Sequence, residues 1–186
     1  CSARVCDFCV YAKLPFYGNL GVKEIVDLYR ATLYFYFKTR PIEDERRLVL
    51  KFTDNGEPLE SSRLTETMSG LLDTFGREGK VLNFKVSSIF RAIQAVRNNF
   101  DRLCRWQEAH GARVSVHLQI SRPFSAKGVM PSEEIAQIIS RWTEVNPRDS
   151  ICITPGIVKG FDETEMMRFL NAIADLWIDF FIRFAV

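Results

Sequence analysis

The sequence predicts an α/β fold built on a parallel sheet, and three observations predict it. Segments with extended patterning alternate with segments with helical patterning along the chain, the rhythm of strands joined by helical crossovers. Each helical segment carries apolar residues at a spacing that gives one buried face. The strand-like run Leu48-Val49-Leu50 has no polar alternation, which predicts burial on both faces. With 186 residues, 47% of them hydrophobic, the chain is long enough for one substantial core and short for two, so residues 1–186 are expected to form a single domain.

In order, a loop through Pro15, Gly18, Asn19 and Gly21 leads into a helix marked by Val22, Ile25, Val26, Tyr29, Leu33 and Phe37 and ended by Pro41. Arg47 to Thr53 reads as a strand. Leu64, Met68, Leu71, Leu72 and Phe75 mark a second helix, closed by Gly76 and Gly79. Val81 to Val86 is a strand and Ile89 to about His110 a helix. Arg113 to Ile120 is a strand, followed by a helix from Ser132 to about Trp142 that Pro131 and Ser132 start. Ile151 to Thr154, Glu163 to Leu176 and Ile178 to Phe184 complete the pattern as strand, helix and strand.

The formal net charge of +2 offers no bulk basic footprint for nucleic acid or an anionic membrane, although RNA as a substrate stays open. No apolar run is long enough to span a bilayer, and no signal-peptide pattern opens the sequence. Five cysteines, three of them clustered, do not make a secreted disulfide framework and suit a reducing cytoplasm.

The clustered cysteines are Cys1, Cys6 and Cys9. Three thiolates on one short loop can converge on one metal centre, and soft sulfur ligands select iron-sulfur clusters or zinc. A cluster held by three cysteines leaves one iron open to a ligand. A zinc site needs a distant fourth ligand, for which Cys104 and His110 are the candidates. The loop alone does not choose between them.

Other segments carry a family resemblance. Cys6-Asp7-Phe8-Cys9 resembles the end of the cluster loop of the radical S-adenosylmethionine superfamily, with Cys1 one residue farther away than the commonest spacing. Asp54-Asn55-Gly56-Glu57-Pro58 follows the first visible strand and is similar to the family's Gly-Glu-Pro turn. Gly156-Ile157-Val158-Lys159-Gly160-Phe161-Asp162-Glu163 fits its G-x-[IV]-x-G-x-x-E pattern. The resemblance implies a partial TIM-type (β/α)6 barrel whose first strand lies upstream of Cys1, so that the chain belongs to a longer protein. It implies a 4Fe-4S cluster on Cys1, Cys6 and Cys9, with S-adenosylmethionine on the open iron. Its cofactor contacts would be Phe8, Gly56, Glu57, Pro58, Ser87, Ser121, Gly156, Val158, Gly160 and Ile182.

That family cleaves S-adenosylmethionine reductively to a 5'-deoxyadenosyl radical, which abstracts hydrogen from a substrate. The resemblance therefore also implies a one-electron reductant such as flavodoxin or ferredoxin, an RNA or protein substrate, and no membrane. The segments Phe16-Tyr17-Gly18-Asn19-Leu20, Gly56-Glu57-Pro58-Leu59 and Leu118-Gln119-Ile120-Ser121 are similar, thinly, to the branch that methylates adenine C2 in ribosomal and transfer RNA. A glycyl-radical activase or a peptide-modifying maturase is the alternative enzyme, and a non-catalytic iron-sulfur or zinc-binding module the alternative outside enzymes. His110 and His117 carry no ligand pattern and read as structural, while Cys104 and Cys152 read as small apolar residues. Glu43 to Arg47 reads as a solvated turn. Tyr34-Phe35-Tyr36-Phe37 exceeds one helix face, with core packing favoured over a partner contact.

Overall fold

The structure is a computed structural model, and it describes residues 20–39, 49–52, 57–76, 81–123, 128–147, 150–157, 162–176, 179–180 and 183–184. Helices α1 (Val22–Thr39), α2 (Leu64–Phe75), α3 (Gln94–His110), α4 (Ser132–Val145) and α5 (Glu163–Ile173) alternate with strands β1 (Val49–Phe52), β2 (Leu82–Ser88), β3 (Val114–Pro123) and β4 (Ile151–Ile157). Two short strands follow, β5 (Asp179–Phe180) and β6 (Arg183–Phe184), and both pair with β4. Every strand pairing is parallel and the strands lie in chain order, β1-β2-β3-β4-β5. The alternating α/β architecture with a parallel sheet is therefore as the sequence predicts.

The helices cover one face of this sheet. In β2 the side chains of Leu82, Phe84, Val86 and Ser88 are buried, while Asn83, Lys85 and Ser87 between them are half-buried. Parallel register carries this two-residue period across the sheet: Leu50 stands beside Phe84, Phe84 beside Val116, and Ile120 beside Ile153. These apolar residues join Val26 and Leu33 of α1, Met68 and Leu71 of α2, Phe100 and Leu103 of α3, Ile139 and Trp142 of α4 and Phe169 of α5 in one core. Strands wound in sequence with helices on one side are compatible with a partial α/β barrel.

Single-sided cover corrects one expectation. Val49 is 43% exposed and Leu50 only 2%, so β1 is buried on one face and not on both. Only one face meets the described helices; the other is polar, exposed at Lys51 and His117 and buried at Gln119 and Thr154. The first helix departs in a related way, since Tyr34 and Phe35 are 69% and 68% exposed and do not pack in the core. Its buried face is made by Val26 and Leu33 instead.

Boundaries shift for local reasons. Residues 89–93 do not begin α3, because Arg91 forms an antiparallel bridge with Val129 and Phe90 takes a left-handed φ of 51°. The amide of Met130 donates to the Phe90 carbonyl at 2.8 Å, and the Phe90 ring is buried edge-on to Phe100. Helix α2 ends where Gly76 caps it; a Cβ there would lie 2.3 Å from the Leu72 carbonyl oxygen. Within α2, Gly70 admits α1 closely, since its Cβ would meet the Val26 side chain at 2.9 Å. Helix α5 starts at Asp162, whose carboxylate accepts from the Glu165 amide at 3.0 Å. The expected turn at Glu43 to Arg47 lies outside the described residues.

Trp142 is the largest wholly buried side chain. Its Nε1 donates to Ser150 Oγ at 2.9 Å and its ring lies 6.1 Å from that of Phe100. Truncation would leave both a cavity and a hydroxyl without its donor. Trp142→Ala is expected to cost about 3–5 kcal/mol in urea denaturation, whereas a loss below about 1 kcal/mol would mean that α4 is not anchored by this ring.

Candidate functional site

Parallel strands share one direction, so the turns that follow β1, β2, β3 and β4 all leave the same edge of the sheet. That edge is sewn together by polar links between successive connections. After β1 a short 3-10 turn, Pro58–Glu60, is capped by Glu57, whose side chain accepts from the Leu59 amide at 3.3 Å. The second carboxylate oxygen of Glu57 accepts from the Ile89 amide, just past β2, at 2.8 Å. Ser88 also hydrogen bonds to Glu57, and its Oγ accepts from the Phe90 amide at 2.9 Å.

Farther around, Arg91 pairs with Glu60, Asn99 Nδ2 donates to the Leu59 carbonyl at 2.8 Å, and Arg102 donates to the Ser62 carbonyl at 2.8 Å. Arg97 of α3 forks onto Glu134 of α4, with Nη2 2.8 Å from Oε2, and Ser132 of α4 donates to Glu165 of α5. Each link joins one connection to the next.

Glu57 is 6% exposed. Burial pushes its carboxyl up to about 6, against hydrogen bonds from Ser88 and from the Ile89 and Leu59 amides that pull it down. Its backbone carbonyl is also engaged, accepting from the Glu60 amide at 2.9 Å. In the structure Glu57 holds the turn, and Pro58 occupies the first position of that turn.

The open face of the sheet runs beneath this edge. It presents Lys51 from β1, Asn83, Lys85 and Ser87 from β2, Ser115, His117, Gln119 and Ser121 from β3, and Cys152 and Thr154 from β4. Ser87 stands beside Gln119, Gln119 beside Cys152, and Ser121 beside Thr154. The Gln119 amide donates to Thr154 Oγ1 at 3.2 Å, and the Cys152 sulfur lies 3.9 Å from the same hydroxyl. One register step toward the strand starts, Lys51, Lys85 and His117 occupy adjacent positions on three neighbouring strands. Among the described residues neither lysine has an ion-pair partner; His117 Nε2 lies 3.4 Å from Ser115 Oγ.

Two expected contacts, Ser87 and Ser121, thus share the open face, with Ser87 half-buried in β2 and Ser121 half-buried in β3. Ser88, its neighbour, points to the helices and belongs to the Glu57 clamp. Gly156 falls inside β4 and not in the turn beyond it, in register with Pro123 and Arg183. Cys152 is half-buried beside Thr154 on the polar face, which corrects its reading as an apolar core residue. Cys1, Cys6, Cys9, Phe8, Gly56, Val158, Gly160 and Ile182 lie outside the described residues.

The described residues contain no group of three His, Cys, Asp or Glu that could hold a metal, and the cysteine trio of the sequence lies outside them. Its three thiolates fit an iron-sulfur cluster with one open iron. The proposed fourth zinc ligands are engaged elsewhere. Cys104 is buried in the helical layer, where burial raises its thiol to about 11. The His110 ring stacks on Trp106 at 4.7 Å, with Nδ1 2.8 Å from the Trp106 carbonyl oxygen. No helix among the described residues is long and apolar enough to cross a membrane.

What the fold and this edge define is a single-sided parallel α/β sheet with a polar face and a clamped set of strand-end turns. No family model matches the chain, and no curated protein or solved structure does.

The clamp makes a pH dependence. The folded value of about 6 lies above the ordinary 4.5, so proton uptake favours the fold. The contribution is full below about 4.5 and is lost as pH rises through about 6, on the order of 2 kcal/mol in all. Urea denaturation across that window should show wild-type stability declining relative to Glu57→Gln, which cannot titrate; parallel curves would mean that the buried carboxyl keeps its ordinary value.

Proposed function

We propose that the chain is the core of a radical S-adenosylmethionine enzyme, with RNA adenine methylation as the reaction it serves. One observation carries the proposal. The Gly-Glu-Pro turn after β1 and the glycine-containing segment at the end of β4 leave the same edge of one parallel sheet, above a polar face. Ligand sites in singly wound α/β folds gather at that edge. In this reading the sheet is a partial (β/α)6 barrel, and Cys1, Cys6 and Cys9 hold three irons of a 4Fe-4S cluster there.

With cluster and S-adenosylmethionine bound, they supply a 5'-deoxyadenosyl radical that abstracts hydrogen. The chain's own residues position and enclose. Glu57 fixes the turn after β1 against the end of β2, so that the turn cannot drift from its neighbour. Ser87 and Ser121 offer hydroxyl groups, and Gln119 and Thr154 a paired amide and hydroxyl, for the polar groups of a nucleoside. Gly156 has no side chain, so a planar ring can approach the backbone of β4 closely. A one-electron reductant such as flavodoxin or ferredoxin completes the system.

Anaerobic reconstitution with iron and sulfide, followed by reduction in the presence of S-adenosylmethionine, tests this. The expected products are methionine and 5'-deoxyadenosine, lost in Cys6→Ala. Zinc binding in preference to iron, or an intact cluster that leaves S-adenosylmethionine uncleaved, would reject the enzyme and leave a metal-binding module.

A further inference from the structure

The row formed by Lys51, Lys85 and His117 is the least explained feature of the open face. Like charges at neighbouring cross-strand positions repel, so a sheet gains nothing for its own stability by aligning Lys51 with Lys85. Neither lysine is neutralised by a carboxylate among the described residues. The positions nearest them on this face are uncharged, at Val49, Asn83, Ser87, Ser115, Gln119, Ser121, Cys152 and Thr154, while Asp179 and Arg183 lie beyond, in register with Cys152 and Gly156 of β4. Lys51 and His117 are exposed and Lys85 is half-buried. The complementary ligand is an anion.

We propose that Lys51, Lys85 and His117 form a phosphate-binding row that tracks the backbone of a single-stranded RNA across the open face. The choice of RNA rests on the methylation reading above. Strands lie about 4.8 Å apart, so the row spans about 10 Å, too long for one phosphate and suited to successive phosphates of an extended strand. The face is also open at both ends of the row, where Lys51 and His117 are exposed, which suits a polymer lying across it more than an enclosed small ligand. The described positions of this face include no aromatic side chain, since Phe52 and Phe84 belong to the core face. Among the described residues the row therefore offers charge without base stacking, and it grips backbone without reading sequence. Asn83 and Ser115, one step nearer the strand starts, place neutral polar groups beside the row for sugar hydroxyls.

The test is fluorescence anisotropy of a dye-labelled single-stranded oligouridylate with the full chain, reconstituted anaerobically, over a range of potassium chloride concentrations. Each phosphate contact contributes about 0.7 to the slope of log K against log salt, so Lys51→Gln/Lys85→Gln is expected to flatten the slope by about 1.4. Lys23→Gln, on α1 and paired with Asp27, should leave it unchanged. The melting temperature of the double variant should equal or exceed that of the wild type, because a repulsion is removed and the aliphatic stems stay. An unaltered slope in the double variant, or a wild-type chain that does not bind the oligonucleotide, would overturn the proposal. So would tripolyphosphate that binds through the same lysines while the oligonucleotide binds independently of them. Formation of 5'-deoxyadenosine without RNA is measured in parallel and should not change in the double variant. Its absence from the wild type, with lysine-dependent RNA binding intact, would reject the cofactor reading alone.

Discussion

One buried carboxylate holds the functional edge in place. Glu57 belongs to the turn after β1, yet one of its oxygens accepts from Ile89, past the end of β2. Two connections that are separated by a whole helix in the chain are thereby fixed to each other. Hydrogen bonds to a charged group are among the stronger ones available, and a buried carboxylate without them would be costly. Glu57 meets that condition only if the 3-10 turn at Pro58–Glu60 and the exit of β2 both form, so the clamp couples their folding. The left-handed Phe90 belongs to the same assembly, because its amide is held by Ser88, which also bonds Glu57.

From that clamp the polar links continue from connection to connection, through Glu60 and Arg91, Arg97 and Glu134, and Ser132 and Glu165. The first two are half-buried ion pairs and the third is a hydrogen bond from a hydroxyl to a carboxylate. Their value here is positional. They bind together turns that the sheet alone would leave to move separately, at the edge where parallel strands direct their exits.

The two faces of the sheet divide the labour. Leu50, Phe84, Val116, Ile120 and Ile153 are covered by helices and supply the hydrophobic stabilisation. The opposite face carries hydroxyls, amides and cations, which stay solvated or find short-range partners such as Gln119 with Thr154. A stack of parallel strands covered on both sides would have no such surface. The polar face is what makes the fold a platform for ligands and not only a core.

Much of this was legible in the residues themselves. Helical spacing located α1, α2, α4 and α5, and Gly76 and Pro131 marked helix ends, because periodicity and capping are local properties. The alternation of elements gave the parallel sheet. Two errors came from the same source: the apolar run through Val49 and Leu50 suggested burial on both faces, and Cys152 suggested a core residue, though sequence cannot show on how many sides a strand is covered. The Gly-Glu-Pro pattern pointed to a strand-end turn, but its partner at Ile89 is a contact made across a helix. Likewise a net charge of +2 concealed the lysine row. Lys51, Lys85 and His117 lie on three separate strands, and only parallel register sets them side by side. Local patterning thus determined which segments are helix or strand; tertiary register decided which side chains share a face, because that depends on how strands far apart in the chain align.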